Sequence, residues 1–357
     1  MYRFNQILLS GIETELPPRI VTSEDLELRL DEFYQRCNLH RGRLELMSGI
    51  KERRFWEKGT RPSQGAIKAG QKVLKSTNID PNEIDALIFS SVSRDFLEPA
   101  TASVVHEGLG ISKNAMIFDI SNACLGFLNG LITLGNMIEL GQINHGMVVS
   151  SESGGPLVDQ TIERILNDKS MTRNSFKGSF ASLTIGSGAV AAIVSNSNII
   201  TEGIKILGAT SRAATEYVKL CQGGVDDSVS ETSSGFQDDH QPDMQTDSEA
   251  MLHAGCTLAK ENWESLKNQL DWTNETPNHF ICHQVGRAHQ KLLFDKLDLD
   301  VKKDFSTYEL YGNTGSAALP MALCKALQEN KIAKNDKLAF LGIGSGLNSL
   351  MFGAEKI

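Results

Sequence analysis

The chain has 357 residues, 40% of them hydrophobic and 22% charged, with a formal net charge of -9. That is ordinary for a globular protein, with apolar material for one large or two medium domains. Scattered lysines and arginines on an acidic chain exclude nucleic-acid binding as a main task, because phosphate recognition needs concentrated positive charge.

No run reaches the roughly 18 apolar residues of a membrane span. The start, MYRFNQILLSGIETELPP, lacks a signal peptide's apolar region and cleavage site, so a cytoplasmic protein is expected. Cys37, Cys124, Cys221, Cys256, Cys282 and Cys324 contain no C-x-x-C pair, so neither a disulfide framework nor a zinc site is expected.

In chain order, the first strongly marked strand is IDALIFSSVS from Ile84. In SNACLGFLNGL a small-residue turn carries Cys124 and opens an apolar helical run, Leu125 to Leu134. Unpaired N–H groups and the helix dipole at that position favour a thiolate, so Cys124 reads as a residue to be acylated. A polar turn from Gly141 to His145 leads into an apolar strand, Met147 to Val149, and GAVAAIVS from Gly188 supplies another. Gln222 to Glu249 is acidic, rich in Ser and Gly, and without apolar period, so it reads as a mobile surface insertion. Its aspartates lack the spacing of a calcium loop.

The pattern then returns. NHFICHQVG from Asn278 is a strand ending near His283, and GNTGSAALP opens a second helix at Asn313. A polar turn from Lys334 to Lys337, a strand from Leu338 to Leu341 and NSLMFGAE from Asn348 complete it. A shift of 191 residues places Asn122 on Asn313, Val149 on Phe340 and Gly155 on Gly346. Alternating strands and helices, given twice, predict an α/β fold with largely parallel strands and two similar halves, 1–198 and 199–357. Pseudo-twofold packing of those halves brings Cys124, His283 and Asn313 to one cleft beyond the carboxyl ends of the strands.

Taken singly, each of these residues has an ordinary reading: a buried thiol, a satisfied core histidine, a turn amide. Together they read as acyl-thioester chemistry, a cysteine nucleophile with two side chains able to donate hydrogen bonds to one oxygen. His279, His283 and His289 cluster in sequence without supporting cysteines or carboxylates, so no metal is expected.

ACLGFLNG, HQVG, GNTGSAALP and the terminal GIGSGLNS resemble, over essentially the whole chain, the thiolase-fold condensing enzymes of the β-ketoacyl synthase III group. The resemblance implies two pseudo-duplicated halves layered α-β-α-β-α. SVSRDFLEPATAS and HQVG resemble the branch that joins two fatty acyl-CoA thioesters head to head in long-chain olefin biosynthesis; synthases that use acyl-carrier protein are similar to HQAN and would place an asparagine at Gly286.

In that branch the resemblance implies an acyl-Cys124 intermediate, with the backbone N–H groups of Cys124 and Ser345 as oxyanion donors and His283 with Asn313 holding the second thioester. It makes Glu98 the base, on a loop that crosses a homodimer interface into the neighbouring site. It puts Arg53, Arg54 and Trp56 at the CoA entrance, with CoA thioesters as substrates, no metal or redox cofactor, and downstream olefin-pathway enzymes as partners. A base is needed because a condensation that loses no carbon dioxide must remove an α-proton, and a Glu98 buried near an acyl chain would have its pKa raised toward neutrality.

Other chemistries use the same residues. A decarboxylating synthase taking malonyl-acyl-carrier protein needs Cys124, His283 and Asn313 equally, but Glu98 and HQVG argue against it. A cysteine hydrolase would use His283 as base toward the thiol, which the duplication does not suit, though a thioesterase side reaction at acyl-Cys124 is compatible with it. Intact Cys124, His283 and Asn313 argue against a catalytically silent subunit.

Overall fold

Residues 1–225 and 242–357 are described by the structure, a computed structural model. The site is set by nine strands, β1 (Ile7–Glu15), β2 (Ala86–Phe89), β3 (Met116–Asp119), β4 (His145–Glu152), β5 (Gly188–Asn196), β6 (Ile204–Ala213), β7 (His279–Cys282), β8 (Lys337–Gly344) and β9 (Asn348–Lys356). Six helices pack on them, α1 (Pro62–Thr77), α2 (Thr101–Leu109), α3 (Gly126–Glu139), α4 (Ser248–Leu270), α5 (Arg287–Leu297) and α6 (Ala318–Gln328). With a short strand at Tyr2–Arg3 beside β6, the strands form one ten-stranded sheet in the order β7-β8-β9-β6-β1-β5-β4-β2-β3. Within the sheet the two halves pair over a short stretch, Leu8 and Leu9 of β1 against Lys205 and Ile204 of β6.

The strands read as unbroken apolar runs because both of their faces are covered. In β4, Val148 faces the cluster that contains α3, whereas Met147 and Val149 face Ala66, Ala69 and Val73 of α1. In β8, Leu338 and Phe340 face α3 and α6, and Ala339 and Leu341 face Ala259, Trp263 and Leu293 of α4 and α5. Alternation of side chains thus sends each strand into two cores, giving five layers: α1 and α2, a sheet half, α3 and α6, the other sheet half, α4 and α5.

The central helices are apolar over most of their surface, as burial between two sheets requires, with a narrow polar stripe at Asn129, Thr133 and Asn136 of α3. Leu128, Leu131, Leu134 and Ile138 of α3 and Leu319, Ala322, Leu323 and Ala326 of α6 are all buried. Close approach is enforced at Gly130, where a Cβ would lie 2.6 Å from Val148 Cγ2.

Two expectations are corrected. The sheet is mixed: β2 runs parallel to β3 and β4, and β7 to β8, but β8–β9, β9–β6, β1–β5 and β4–β5 are antiparallel. Helical crossovers impose parallel pairing only where they occur, and β8 returns into β9 through a short turn. The stretch read as a loop from 222 to 249 begins and ends in structure. Cys221–Val225 pairs antiparallel with Pro242–Thr246, and α4 starts at Ser248, capped by Asp247. The rest of that insertion, 226–241, lies outside the described residues.

Among the described residues no helix is long and apolar enough to cross a membrane. Phe340, fully buried between the central helices and the second sheet half, is a direct test of the layering. Phe340→Ala is expected to cost about 3–5 kcal/mol in urea unfolding, through lost transfer energy and a cavity that helices packed on both sides cannot close.

Candidate active site

The nucleophile turn is built ahead of α3. Asn122 caps a 3-10 turn, Ala123–Leu125, that runs directly into α3, and Ala123 is held at φ 42°, a left-handed conformation costing about 1–2 kcal/mol for a residue with a Cβ. The turn is tied to the end of β8. Asn122 Nδ2 donates to Asn129 Oδ1 at 2.7 Å and Asn348 Oδ1 at 3.1 Å, while Asn348 Nδ2 donates to Ser345 O at 2.9 Å. At Gly344 a Cβ would lie 3.7 Å from Cys124 Cβ.

As a result, the backbone N–H groups of Cys124 and Ser345 lie on the sulfur's side of the turn and pull the thiol's pKa down. Two amides converging where a tetrahedral oxyanion would form is the donor pattern acyl transfer needs. Cys124 itself remains partly exposed.

The expected thiolate is not the resting state. Burial, and then the neighbouring Cys221 and Glu152, push the Cys124 thiol up to about 12, against the opposing pull of the two amides. The helix start lies where the sequence placed it, but its dipole is outweighed by desolvation and nearby negative charge.

His283 follows β7. Because β7 and β8 run parallel, with Cys282 opposite Leu341 and His283 N bonded to Leu341 O at 3.0 Å, the imidazole leaves the sheet at the same end as Gly344 and Ser345. It is 4% exposed, and burial, with His289 nearby, pushes its pKa down to about 3, so it is neutral at physiological pH. Gln284 locks the loop, accepting from Thr307 N and Tyr308 N at 2.7 and 3.2 Å and donating to Cys282 O at 2.7 Å. Gly286 sits at φ 153°, where a Cβ would come within 2.6 Å of Ser48 O. The site's departure from HQAN is therefore a backbone requirement here: an asparagine at 286 would collide with main chain.

Asn313 lies in the turn before α6. Its N–H donates to Thr184 O at 3.0 Å and its carbonyl accepts from Gly186 N at 2.9 Å. Its side-chain Oδ1 accepts from Gly315 N at 3.0 Å, leaving the NH2 as the donor end. This turn meets the nucleophile turn directly, since Phe127 N of α3 donates to Ser316 Oγ at 2.9 Å. The fold thus gathers Cys124, His283, Asn313 and Ser345 at one end of the central layer.

The remaining expectations fare differently. Arg53 is fully buried, donating to Ser23 Oγ at 3.1 Å and Leu183 O at 3.3 Å, and burial lowers its pKa to about 10. Trp56 is buried too, its Nε1 donating to Glu152 O at 3.0 Å. Neither offers a face to a nucleotide, so their placement at a CoA entrance is overturned; both brace the site from behind, Arg53 against Gly312, where a Cβ would lie 3.4 Å from its own. Arg54 is half-buried, with Nη1 on Pro17 O at 3.3 Å.

Glu98 is exposed on the loop after β2 rather than buried, and this chain alone does not bring it into the cluster. Sequence reasoning missed Glu152, a buried carboxylate at the end of β4 that lies near Cys124. The available signal was an acidic residue closing an otherwise apolar strand, VVSSE.

Comparison with known proteins places the chain. Residues 118–214 match the model for 3-oxoacyl-[acyl-carrier-protein] synthase III and residues 268–352 match its C-terminal model. An acyl-CoA:acyl-CoA alkyltransferase from Shewanella oneidensis is 40% identical across 99% of each chain. The chain belongs to the 3-oxoacyl-[acyl-carrier-protein] synthase III family. Another member, an acyl-CoA:acyl-CoA alkyltransferase from Xanthomonas campestris, is 34% identical over 98% of each chain, and a β-ketoacyl-[acyl-carrier-protein] synthase III from Aliarcobacter butzleri is 29% identical over 94% of each.

Crystal structures of Xanthomonas campestris OleA superpose on this thiolase-fold family member with a TM-score of 0.91 at 33% identity, covering 99% of this chain and 100% of that one. One OleA structure, with bound lauric acid and lauroyl-CoA, gives a TM-score of 0.90 at 33% identity and covers 99% of both chains. Others replace one histidine, one cysteine or one glutamate of that enzyme.

The raised thiol has a measurable consequence. Below a pKa of about 12 the thiolate fraction grows tenfold per pH unit. Iodoacetamide labelling of the Cys124 peptide, followed by mass spectrometry, should therefore accelerate about tenfold per unit from pH 7 to 10 without a plateau. Saturation near pH 8 would contradict the burial argument.

Proposed function

We propose that the protein joins two fatty acyl-CoA thioesters by a condensation that releases no carbon dioxide, giving a 2-alkyl-3-oxoacyl-CoA. One observation carries the reading. The glutamate replaced in an OleA structure precedes that enzyme's replaced cysteine by the same number of residues as Glu98 precedes Cys124. A carboxylate is the group that non-decarboxylating chemistry adds to a cysteine, histidine and asparagine set.

In the first half-reaction the Cys124 sulfur attacks the thioester carbon of one acyl-CoA. The oxyanion forms against the backbone N–H groups of Cys124 and Ser345, the C–S bond to CoA breaks, and the departing CoA sulfur takes up the thiol proton. The neutral His283 and the Asn313 NH2 then donate to the thioester oxygen of a second acyl-CoA. Glu98 removes its α-proton, and the resulting carbanion attacks acyl-Cys124, forming the new C–C bond and expelling the Cys124 thiolate, which is reprotonated. No redox cofactor is needed, because no step changes oxidation state, and the developing charge a metal would stabilise is assigned to the hydrogen-bond donors named above.

Glu98 serves a neighbouring copy in this scheme. β3 is the sheet's edge strand, and its Met116 and Ile117 are 55% and 36% exposed, as is Leu97 at 63% beside Glu98. An apolar edge of this kind invites pairing with a second chain. A homodimer across β3 would cover these side chains and carry the Glu98 loop toward the partner's site. The β-keto thioester product is a suitable feedstock for long-chain olefin biosynthesis in the cytoplasm.

Purified protein given only a saturated long-chain acyl-CoA should yield a 2-alkyl-3-oxo acid or its derived ketone by mass spectrometry, and lose it in Cys124→Ala and Glu98→Ala. Acyl-Cys124 without coupled product, rescued by malonyl-acyl-carrier protein, would instead show a decarboxylating synthase. Mixing the two inactive variants should restore activity, at most to about a quarter of wild type for random pairing with one competent site per heterodimer. No recovery in verified heterodimers would refute shared sites.

A further inference from the structure

Glu152 ends β4 and is 5% exposed. Its carboxylate holds main chain from two separate segments. Val92 N donates to Oε1 and Ser93 N to Oε2, each at 3.0 Å, and Ser316 N donates to Oε1 at 3.3 Å. Val92 and Ser93 begin the loop that carries Glu98, whereas Ser316 belongs to the turn that presents Asn313.

A buried carboxylate that accepts on both oxygens is matched to its ionised form. Burial raises its pKa, and the donors from Ser93, Val92 and Ser316 oppose that rise. The packing leaves little slack, since a Cβ on Gly315 would lie 3.1 Å from Oε1. The carbonyl of the same residue accepts from Trp56, fixing the strand end from the other side at 3.0 Å.

We propose that Glu152 is a positioning residue for the condensation half-reaction, fixing on one strand end both the root of the loop that carries Glu98 toward the neighbouring copy's site and the turn that presents Asn313 in its own. The inference rests on the function proposed above. Acylation of Cys124 draws on the amides of Cys124 and Ser345, and neither is held by Glu152. Loss of the clamp therefore slows the second step, whereas loss of the Glu152 charge beside Cys124 can only ease thiol ionisation in the first.

Glu152→Gln tests this with little change of shape. An amide NH2 cannot accept, so the variant must release either Ser93 or both Val92 and Ser316. Single-turnover CoA release should be no slower than about threefold below wild type, and a rise is consistent with the lost charge beside Cys124. Coupling of preloaded acyl-Cys124 with a second acyl-CoA should slow by about twentyfold or more, the scale expected when reacting groups are misplaced by less than 1 Å. Glu152→Asp keeps both acceptors and should recover part of the loss.

Equal coupling rates in wild type and Glu152→Gln would overturn the inference alone. So would a fall of both half-reactions in step with the urea midpoint, which marks a merely structural role. A wild-type protein that forms acyl-Cys124 and never couples it would overturn the proposed function, and the clamp with it.

Discussion

Two helices that bury most of their surface, α3 and α6, have to be hidden from water on more than one face, and the rest of the structure follows from that requirement. One sheet half covers them on each side. Those strands are then apolar on both faces and need helices of their own, which α1, α2, α4 and α5 supply. The duplicated order of elements makes the two central helices start at one place, where Phe127 N meets Ser316 Oγ. The residues that open each unit, Cys124 and Asn313, are brought together by burial of the residues behind them.

A site embedded in such a layer is costly to charge, and its resting state is largely neutral. Desolvation holds the Cys124 thiol protonated and His283 deprotonated. Where a carboxyl does stand in the interior, at Glu152, burial raises its pKa and backbone N–H groups oppose that rise. The same logic applies to the reaction. In the proposed mechanism the oxyanion on the first thioester exists only transiently, and the Cys124 and Ser345 amides assigned to it are fixed before it would appear, so little reorganisation is required. Low local dielectric, which makes the thiolate expensive, also strengthens those donors when charge develops.

Much of this was legible in the sequence because repetition is visible at the level of residue type. The shift that matches Asn122 to Asn313 also matches strand to strand, and apolar runs flanked by small-residue turns survive in both copies. Motif spacing located Cys124, His283 and Asn313 without reference to distance. Burial was not legible. IKERRFW looks like an exposed basic segment, yet its short strand Glu52–Phe55 alternates half-buried and buried residues and turns Arg53 inward. Strand direction was not legible either, since an apolar run such as NSLMFGAE reads the same whichever way it pairs. Glu152 escaped notice because one carboxylate at a strand end is common, and its meaning lies in three amides from segments about 60 and 164 residues away.

The position of Glu98 follows a different constraint. A carboxylate in water is well hydrated and a poor partner for a C–H bond, so a base for α-proton removal must lose its water when substrate is present. Burying it permanently within one chain would impose that desolvation cost on folding. Keeping it exposed on a loop whose root is fixed by Glu152, beside an apolar edge strand, defers the cost to assembly and substrate binding. In the proposed dimer it would be offset by burial of Leu97, Met116, Ile117 and the acyl chains. In the proposed scheme a base on an exposed surface loop and a nucleophile in the central layer are two answers to one problem, charge in an apolar site, and a second copy of the chain would join them.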